Sequence, residues 1–172
     1  MTRNILVATA SAILLCAPSF AQTEKPRYEV GFRAGAGGYS YIDDNPYTRA
    51  VLGLEACAFC GKRYALFGAY SHFLAPGPPS RYKSADLFNT GLRIQGRRRV
   101  SPFFDVGFAA GYSRFLWGAS TIRSMTTAGI GLGTGVAFRT AKGLYIRPQV
   151  RLFIMSEAYA AASAEIAIGW RF

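Results

Sequence analysis

From Ala128 to Phe138 the chain alternates without a break. Ala128, Ile130, Leu132, Thr134, Val136 and Phe138 are separated by Gly129, Gly131, Gly133, Gly135 and Ala137. A strand sends successive side chains to opposite faces, so this run predicts a strand with one bulky apolar face and one nearly bare face. A helix, with its period of about 3.6 residues, would mix the two sets.

Seven further segments of about ten residues repeat the pattern, the length at which a tilted strand crosses a bilayer. The first runs from Tyr28 to about Tyr41, with Tyr28, Val30, Phe32, Ala34 and Ala36 opposite Glu29, Gly31, Arg33 and Gly35. The second sets Ala50, Leu52, Leu54 and Ala56 against Val51, Gly53 and Glu55. The third, Tyr64 to Phe73, leaves its facing open because Leu66 and Phe67 are both apolar. In the fourth, Phe88, Thr90, Leu92 and Ile94 oppose Asn89, Gly91, Arg93 and Gln95. The fifth carries Pro102, Phe104, Val106, Phe108, Ala110 and Tyr112 on one side, with Phe103, Asp105 and Gly107 on the other. After the sixth, Leu144, Ile146, Pro148, Val150, Leu152 and Ile154 alternate with Tyr145, Arg147, Gln149, Arg151 and Phe153. The eighth ends the chain, with Ala162, Ala164, Ile166, Ile168, Trp170 and Phe172 against Ser163, Glu165, Ala167, Gly169 and Arg171.

The connections differ in kind. Gly61-Lys62-Arg63, Gly96 with Arg97, Arg98 and Arg99, and Ala141-Lys142-Gly143 read as tight, basic turns after the second, fourth and sixth segments. Asp43-Asp44-Asn45-Pro46 signals a turn after the first. Residues 74–84, with Pro76, Pro78 and Pro79, read as a loop, and 113–125 as a longer irregular stretch. The connection at 155–158 is short and fits the long-loop pattern less well. An even number of strands closes an up-and-down barrel with both termini at one end. The expected fold is therefore all-β, an eight-stranded antiparallel transmembrane barrel.

The cost of burying charge decides which face meets lipid. One face of each clear segment is a band of Leu, Ile, Val and Phe. The other collects Glu29, Arg33, Glu55, Arg93, Asp105, Arg147, Arg151 and Glu165 among glycines and alanines. An arginine on the lipid side at mid-membrane costs up to roughly 2–4 kcal/mol. The interior of an eight-stranded barrel is just wide enough for its own side chains. The charges are therefore expected inside, as a paired ion network forming a closed polar core. A narrow channel gated by those pairs is the alternative.

The amino-terminal segment sets the compartment. Arg3 precedes an apolar stretch from Ile5 to Leu15, Pro18 breaks it, and Ser19-Phe20-Ala21 supplies small residues for a signal peptidase. Residues 1–21 are expected to be a secretory signal peptide and 22–172 the barrel. Nothing later offers a run of about 18 apolar residues, so backbone hydrogen bonds in a membrane would have to close through a barrel. The net charge of +11 raises nucleic acid as a partner. However, the basic residues are spread along the chain, and charged residues make up only 17 % against 15 % aromatics. A membrane rich in phosphate suits that pattern, and no nucleic acid is expected.

The carboxyl end, Ile166, Ile168, Trp170 and terminal Phe172 alternating with Glu165, Ala167, Gly169 and Arg171, resembles the assembly signal of bacterial outer-membrane proteins. With the signal peptide and eight alternating segments, the mature chain resembles the outer-membrane β-barrel domain family, whose relatives include the OmpA transmembrane domain and OmpX. The resemblance implies insertion by the barrel assembly machinery, contact with outer-membrane lipid and lipopolysaccharide, and a monomer. It implies no single activity, since relatives include anchors, adhesins, narrow pores and lipid-modifying enzymes. A structural or surface-interaction role without catalysis is expected, with a narrow pore or a lipid A-modifying enzyme as alternatives.

Remaining candidates are weaker. Cys57 and Cys60 form a C-x-x-C without the helix that makes such a pair reactive. In an oxidising compartment a small disulfide is the simplest outcome, with free thiols or a metal or redox site as alternatives. His72 is the one histidine. Lipid A deacylases among the relatives use a histidine and a serine on one face, but adjacent Ser71 and His72 must face apart, and no carboxylate partner is evident. Gly129 to Gly135 miss nucleotide-loop spacing, and no cofactor is expected. Arg97, Arg98 and Arg99 suit phospholipid headgroups, whereas Arg81, Lys83, Arg114 and Arg123 suit lipopolysaccharide phosphates. Tyr39, Tyr41, Tyr47, Tyr70, Tyr112 and Trp117, with Trp170 and Phe172 at the other end, would form two aromatic girdles.

Overall fold

Eight strands pair in chain order and the last returns to the first, so the sheet has no free edge. The computed structural model describes residues 27–41, 48–75, 82–117, 121–157 and 159–172. The strands are β1 (Tyr28–Tyr41), β2 (Arg49–Ala58), β3 (Tyr64–Phe73), β4 (Tyr82–Gln95), β5 (Val100–Trp117), β6 (Thr121–Arg139), β7 (Leu144–Met155) and β8 (Tyr159–Arg171). All neighbouring pairs are antiparallel. Closure runs from Glu29↔Arg171 to Tyr41↔Tyr159. Beyond it, the Tyr28 and Phe172 amides each donate to the other residue's carbonyl, at 2.9 and 3.1 Å.

Burial follows residue parity along the membrane-crossing stretches. Phe32 is 75 % exposed and Phe104 43 %, while Arg33 and Asp105 beside them are buried. Pairing also settles β3: Val51↔Phe73 and Glu55↔Ala69 bring Ala65, Phe67, Ala69, Ser71 and Phe73 to the inside. Leu66, Tyr70 and His72 then face out. Among the described residues no helix is long and apolar enough to cross a membrane.

The ends differ. The start of β1, the end of β8 and the turns at 59–63, 96–99 and 140–143 share one end, the periplasmic end of such barrels. Gly143 needs its lack of a side chain, since its φ of 92° is left-handed and a Cβ would meet the Arg171 carbonyl. Inside the wall, a Cβ on Gly131 would meet the Asn89 amide at 2.5 Å, so the bare position makes room for a side chain two strands away.

Three expectations are corrected here. Residues 74–84 are not all loop, because β4 starts at Tyr82, and 113–125 is a continued hairpin in register from Ser113↔Met125 to Trp117↔Thr121. In both places the strand continues past the apolar band, where no lipid demands alternation. β5 thereby reaches Trp117, and β6 begins at Thr121. Tyr39 is not a girdle residue; it shares the parity of Arg33 and lies inside against Phe73 and Tyr159. The signal-peptide segment 1–21, the turn at 43–46, the prolines at 76, 78 and 79, Tyr47 and Arg81 lie outside the described residues.

The interior is also less uniformly polar than expected. Its outer half is an apolar plug in which Tyr39, Val51, Phe73, Leu87, Phe153 and Met155 pack with Tyr159, Ala85, Ala109 and Ala161. Phe115 and Met125 pack against this cluster from above. Neutral bulk fills most of this cross-section, with Arg49 buried on β2 two residues before Val51.

Candidate functional site: the charged lumen

Odd-numbered positions of β1, β2, β4, β5, β7 and β8 send eight charged side chains into the periplasmic half of the lumen. Glu29, Arg33, Glu55, Arg93, Asp105, Arg147, Arg151 and Glu165 are all buried there. Their partners come mostly from strands that are not neighbours, so the contacts span the lumen.

Three connected groups result. Near mid-barrel, Arg33 donates from Nη1 to Glu165 Oε2 at 2.8 Å and from Nη2 to Ser71 Oγ and the Tyr70 carbonyl at 2.8 and 2.6 Å. Ser163 Oγ donates to Glu165 Oε1 at 2.6 Å. Below, Arg93 forks onto Asp105 through Nε and Nη2 at 2.7 and 2.8 Å, and Arg151 Nη2 adds a third bond at 3.2 Å. Glu55 accepts from Arg147 Nη1 and from the Tyr145 hydroxyl, and Arg93 and Arg151 stand 3.9 and 3.7 Å away. At the mouth, Arg147 Nη2 reaches Glu29 Oε2, while Arg171 Nη2 and Arg139 Nε reach Glu29 Oε1 at 3.0 and 3.3 Å.

Arg139 and Arg171 join the network beyond the eight residues expected from the alternation. Both have lumen parity, but each sits at a strand end beside a turn or terminus, where parity alone does not separate lumen from solvent. With them, six arginines meet four carboxylates. Ring faces and carbonyls absorb the surplus. The Arg93 guanidinium lies 4.7 Å from the Phe103 centroid, Arg147 4.5 Å from Tyr145, and Arg151 5.6 Å from Phe67. A desolvated cation–π contact is worth up to about 2 kcal/mol. Neutral aromatics therefore do part of what two more acids would do.

Cys57 and Cys60 are joined as a disulfide at the foot of β2. Their sulfurs and the Glu29 carboxylate lie within 4.8 Å of one another, a metal-like grouping in outline only. The sulfurs are bonded to each other and the carboxylate holds three guanidiniums.

On the outer wall, His72 does have a carboxylate partner, contrary to the sequence reading. His72 Nδ1 is 2.7 Å from Asp86 Oδ1, and the Tyr70 hydroxyl donates to the same oxygen at 2.5 Å. The register His72↔Asp86 makes them cross-strand neighbours, a relation invisible while 74–84 is read as loop. Ser71 points the opposite way, to Arg33. Ile166, Ile168, Trp170 and Phe172 all face out, Phe172 being 68 % exposed and stacked on Tyr28.

An antiparallel eight-stranded barrel, closed on itself, apolar without and ionic within, defines an integral protein of the bacterial outer membrane. The model of the outer membrane protein beta-barrel domain family matches residues 7–172, and the chain belongs to that family. Solved structures agree in fold. Neisserial surface protein A is 12 % identical at a TM-score of 0.69, covering 87 % of this chain and 100 % of that one. Ail, the attachment invasion locus protein of Yersinia pestis, is 12 % identical at 0.62, covering 86 % and 97 %. The N-terminal barrel domain of Pseudomonas aeruginosa OprF is 12 % identical at 0.62, covering 86 % and 100 %. At such identity the likeness is one of fold. No curated protein matches the chain.

Proposed function

We propose that this protein is a non-catalytic barrel with a structural or surface-interaction role and a sealed lumen. The filling of the lumen carries the reading. A water or ion path would have to break the Glu55 and Asp105 groups in one half and then pass between Tyr39, Phe73, Phe153 and Tyr159 in the other. Breaking one buried ion pair costs about 3–5 kcal/mol, and the packed rings of the outer half would have to move aside as well. Against catalysis stands Ser71, which points into the lumen and accepts from Arg33, away from the outward-facing Asp86–His72 pair.

The same reading includes a signal peptide at 1–21, a monomer, insertion by the barrel assembly machinery through Ile166, Ile168, Trp170 and Phe172, and contact with lipopolysaccharide. Arg114 and Arg123 lie on the extended β5–β6 hairpin, where anionic surface ligands would meet them. Ail has been solved with the heparin analogue sucrose octasulfate, a polyanion of the chemistry such a cationic hairpin favours. Planar-bilayer recording of the purified barrel is expected to give no discrete conductance above the lipid background. Stable unitary steps that change when Glu55 or Asp105 is replaced would instead establish the pore.

A further inference from the structure

The periplasmic end holds a surplus of positive charge that the lumen does not use. Arg63, Arg97 and Arg98 are exposed there, and among the described residues no carboxylate lies within ion-pair distance of them. Glu29, the acid at that end, is buried and already shared by Arg139, Arg147 and Arg171. These three arginines, of which Arg63 also lies 5.8 Å from the Tyr64 ring centroid, surround an open pocket of about 680 Å³ between the β2–β3 and β4–β5 turns, floored by Gln95 and Ser101. That volume is in the range of roughly 300–1,000 Å³ that holds small ligands.

The pocket is held in shape from beneath. Gln95 Nε2 donates to the Cys60 and Lys62 carbonyls at 2.7 and 3.2 Å, and its main-chain amide to the Arg63 carbonyl at 2.9 Å. Its Oε1 accepts from Arg139 Nη2 at 2.6 Å. Arg139 Nη1 meanwhile donates to Ser101 Oγ at 2.7 Å and to the Gly96 and Arg98 carbonyls at 3.4 Å. One glutamine and one buried arginine thus tie both basic turns into a fixed frame. A preorganised frame spends less of its binding energy on ordering.

The remaining lining gives the ligand's character. Val100 and Pro102 face outward on β5, and Val100, 56 % exposed, begins the lipid-facing band that continues through Phe104 and Val106. The pocket therefore straddles the boundary between acyl chains and the basic turns. We propose that it binds the phosphate-bearing headgroup of an anionic phospholipid of the periplasmic leaflet. Arg63, Arg97 and Arg98 take the phosphate oxygens, and Val100 and Pro102 meet the first acyl methylenes. Basic pockets at membrane interfaces select anionic lipids in this way. The inference goes beyond the sealed-lumen role and stands whether or not the barrel conducts.

Native mass spectrometry of the full barrel, released from nanodiscs of phosphatidylcholine mixed with phosphatidylglycerol, tests it. The wild type should retain phosphatidylglycerol over phosphatidylcholine. Each arginine lost should weaken retention roughly fivefold, so Arg97→Gln with Arg98→Gln should lower it about 25-fold. An Arg99→Gln, Lys142→Gln variant, with equal charge loss at the same end but outside the pocket, should keep wild-type retention. Equal retention of the two lipids, or an equal loss in that control, would overturn the site in favour of a diffuse charge effect. Displacement of the lipid by millimolar inorganic phosphate would show a free-anion site and overturn the lipid assignment. Gel migration before and after boiling verifies that each variant is folded.

Discussion

Glu55 is the residue on which the lumen's charge balance turns. Its carboxylate faces Arg147, Arg93 and Arg151 and accepts the Tyr145 hydroxyl. Glu55→Ala leaves three guanidiniums around an empty acceptor, and stranding buried charge costs about 3–5 kcal/mol. Urea unfolding in detergent micelles should show a loss of that order for Glu55→Ala. Lys142→Ala, in the exposed β6–β7 turn, should change stability by no more than about 0.5 kcal/mol. Equal effects from the two would mean that the lumen network contributes nothing to stability. At this scale the alternation reveals which way Arg33, Glu55 or Arg151 points, because parity within a strand is local. It does not reveal which charges meet, since Arg147 touches acids of β1 and β2 from the far side of the lumen. The pairing of Asp86 with His72 is hidden in the sequence for a related reason: the two meet only once β3 and β4 are in register.

Among the elements, the turns divide the labour. The foot of β2 turns with Phe59 in the left-handed region at φ 61°, a conformation that costs a bulky residue roughly 1–2 kcal/mol. The Cys57–Cys60 disulfide spans it, and the Cys60 amide donates to the Arg27 carbonyl at 3.0 Å. Closing so small a loop stabilises by about 2 kcal/mol in the chain-entropy account. Cys57→Ser with Cys60→Ser should therefore lower the unfolding free energy by about that much. Reductant should shift the wild-type midpoint towards the variant's and leave the variant's unchanged; a wild type indifferent to reductant would contradict this. The strand cores of β1, β6, β7 and β8 were legible because lipid on one side and a narrow lumen on the other enforce alternation. The upper parts of β4, β5 and β6 were not, because outside the membrane both faces of a strand meet water and neither the Arg114 nor the Arg123 position is constrained by polarity.

For the whole molecule, the balance between lipid and lumen fixes the architecture. Chain order, closure and inversion were readable from the eight segments, and the family match over residues 7–172 agrees with them. The division of the lumen was not. Val51, Phe103 and Phe153 occupy lumen positions in the alternation, but only the closed barrel separates Val51 and Phe153 in the apolar plug from Phe103 among the arginines. Everything else depends on apolar residues meeting lipid while ions are held inside. Nitroxide labels at Phe108, at Val150 and, as a solvent-exposed reference, at Lys142, in barrels reconstituted into liposomes, read this directly. Collisions with oxygen should dominate over those with a water-soluble nickel chelate at Phe108 and Val150, with the reverse at Lys142. Labels at Phe108 and Val150 that are shielded from both reagents, or reached preferentially by the chelate, would contradict the inverted barrel.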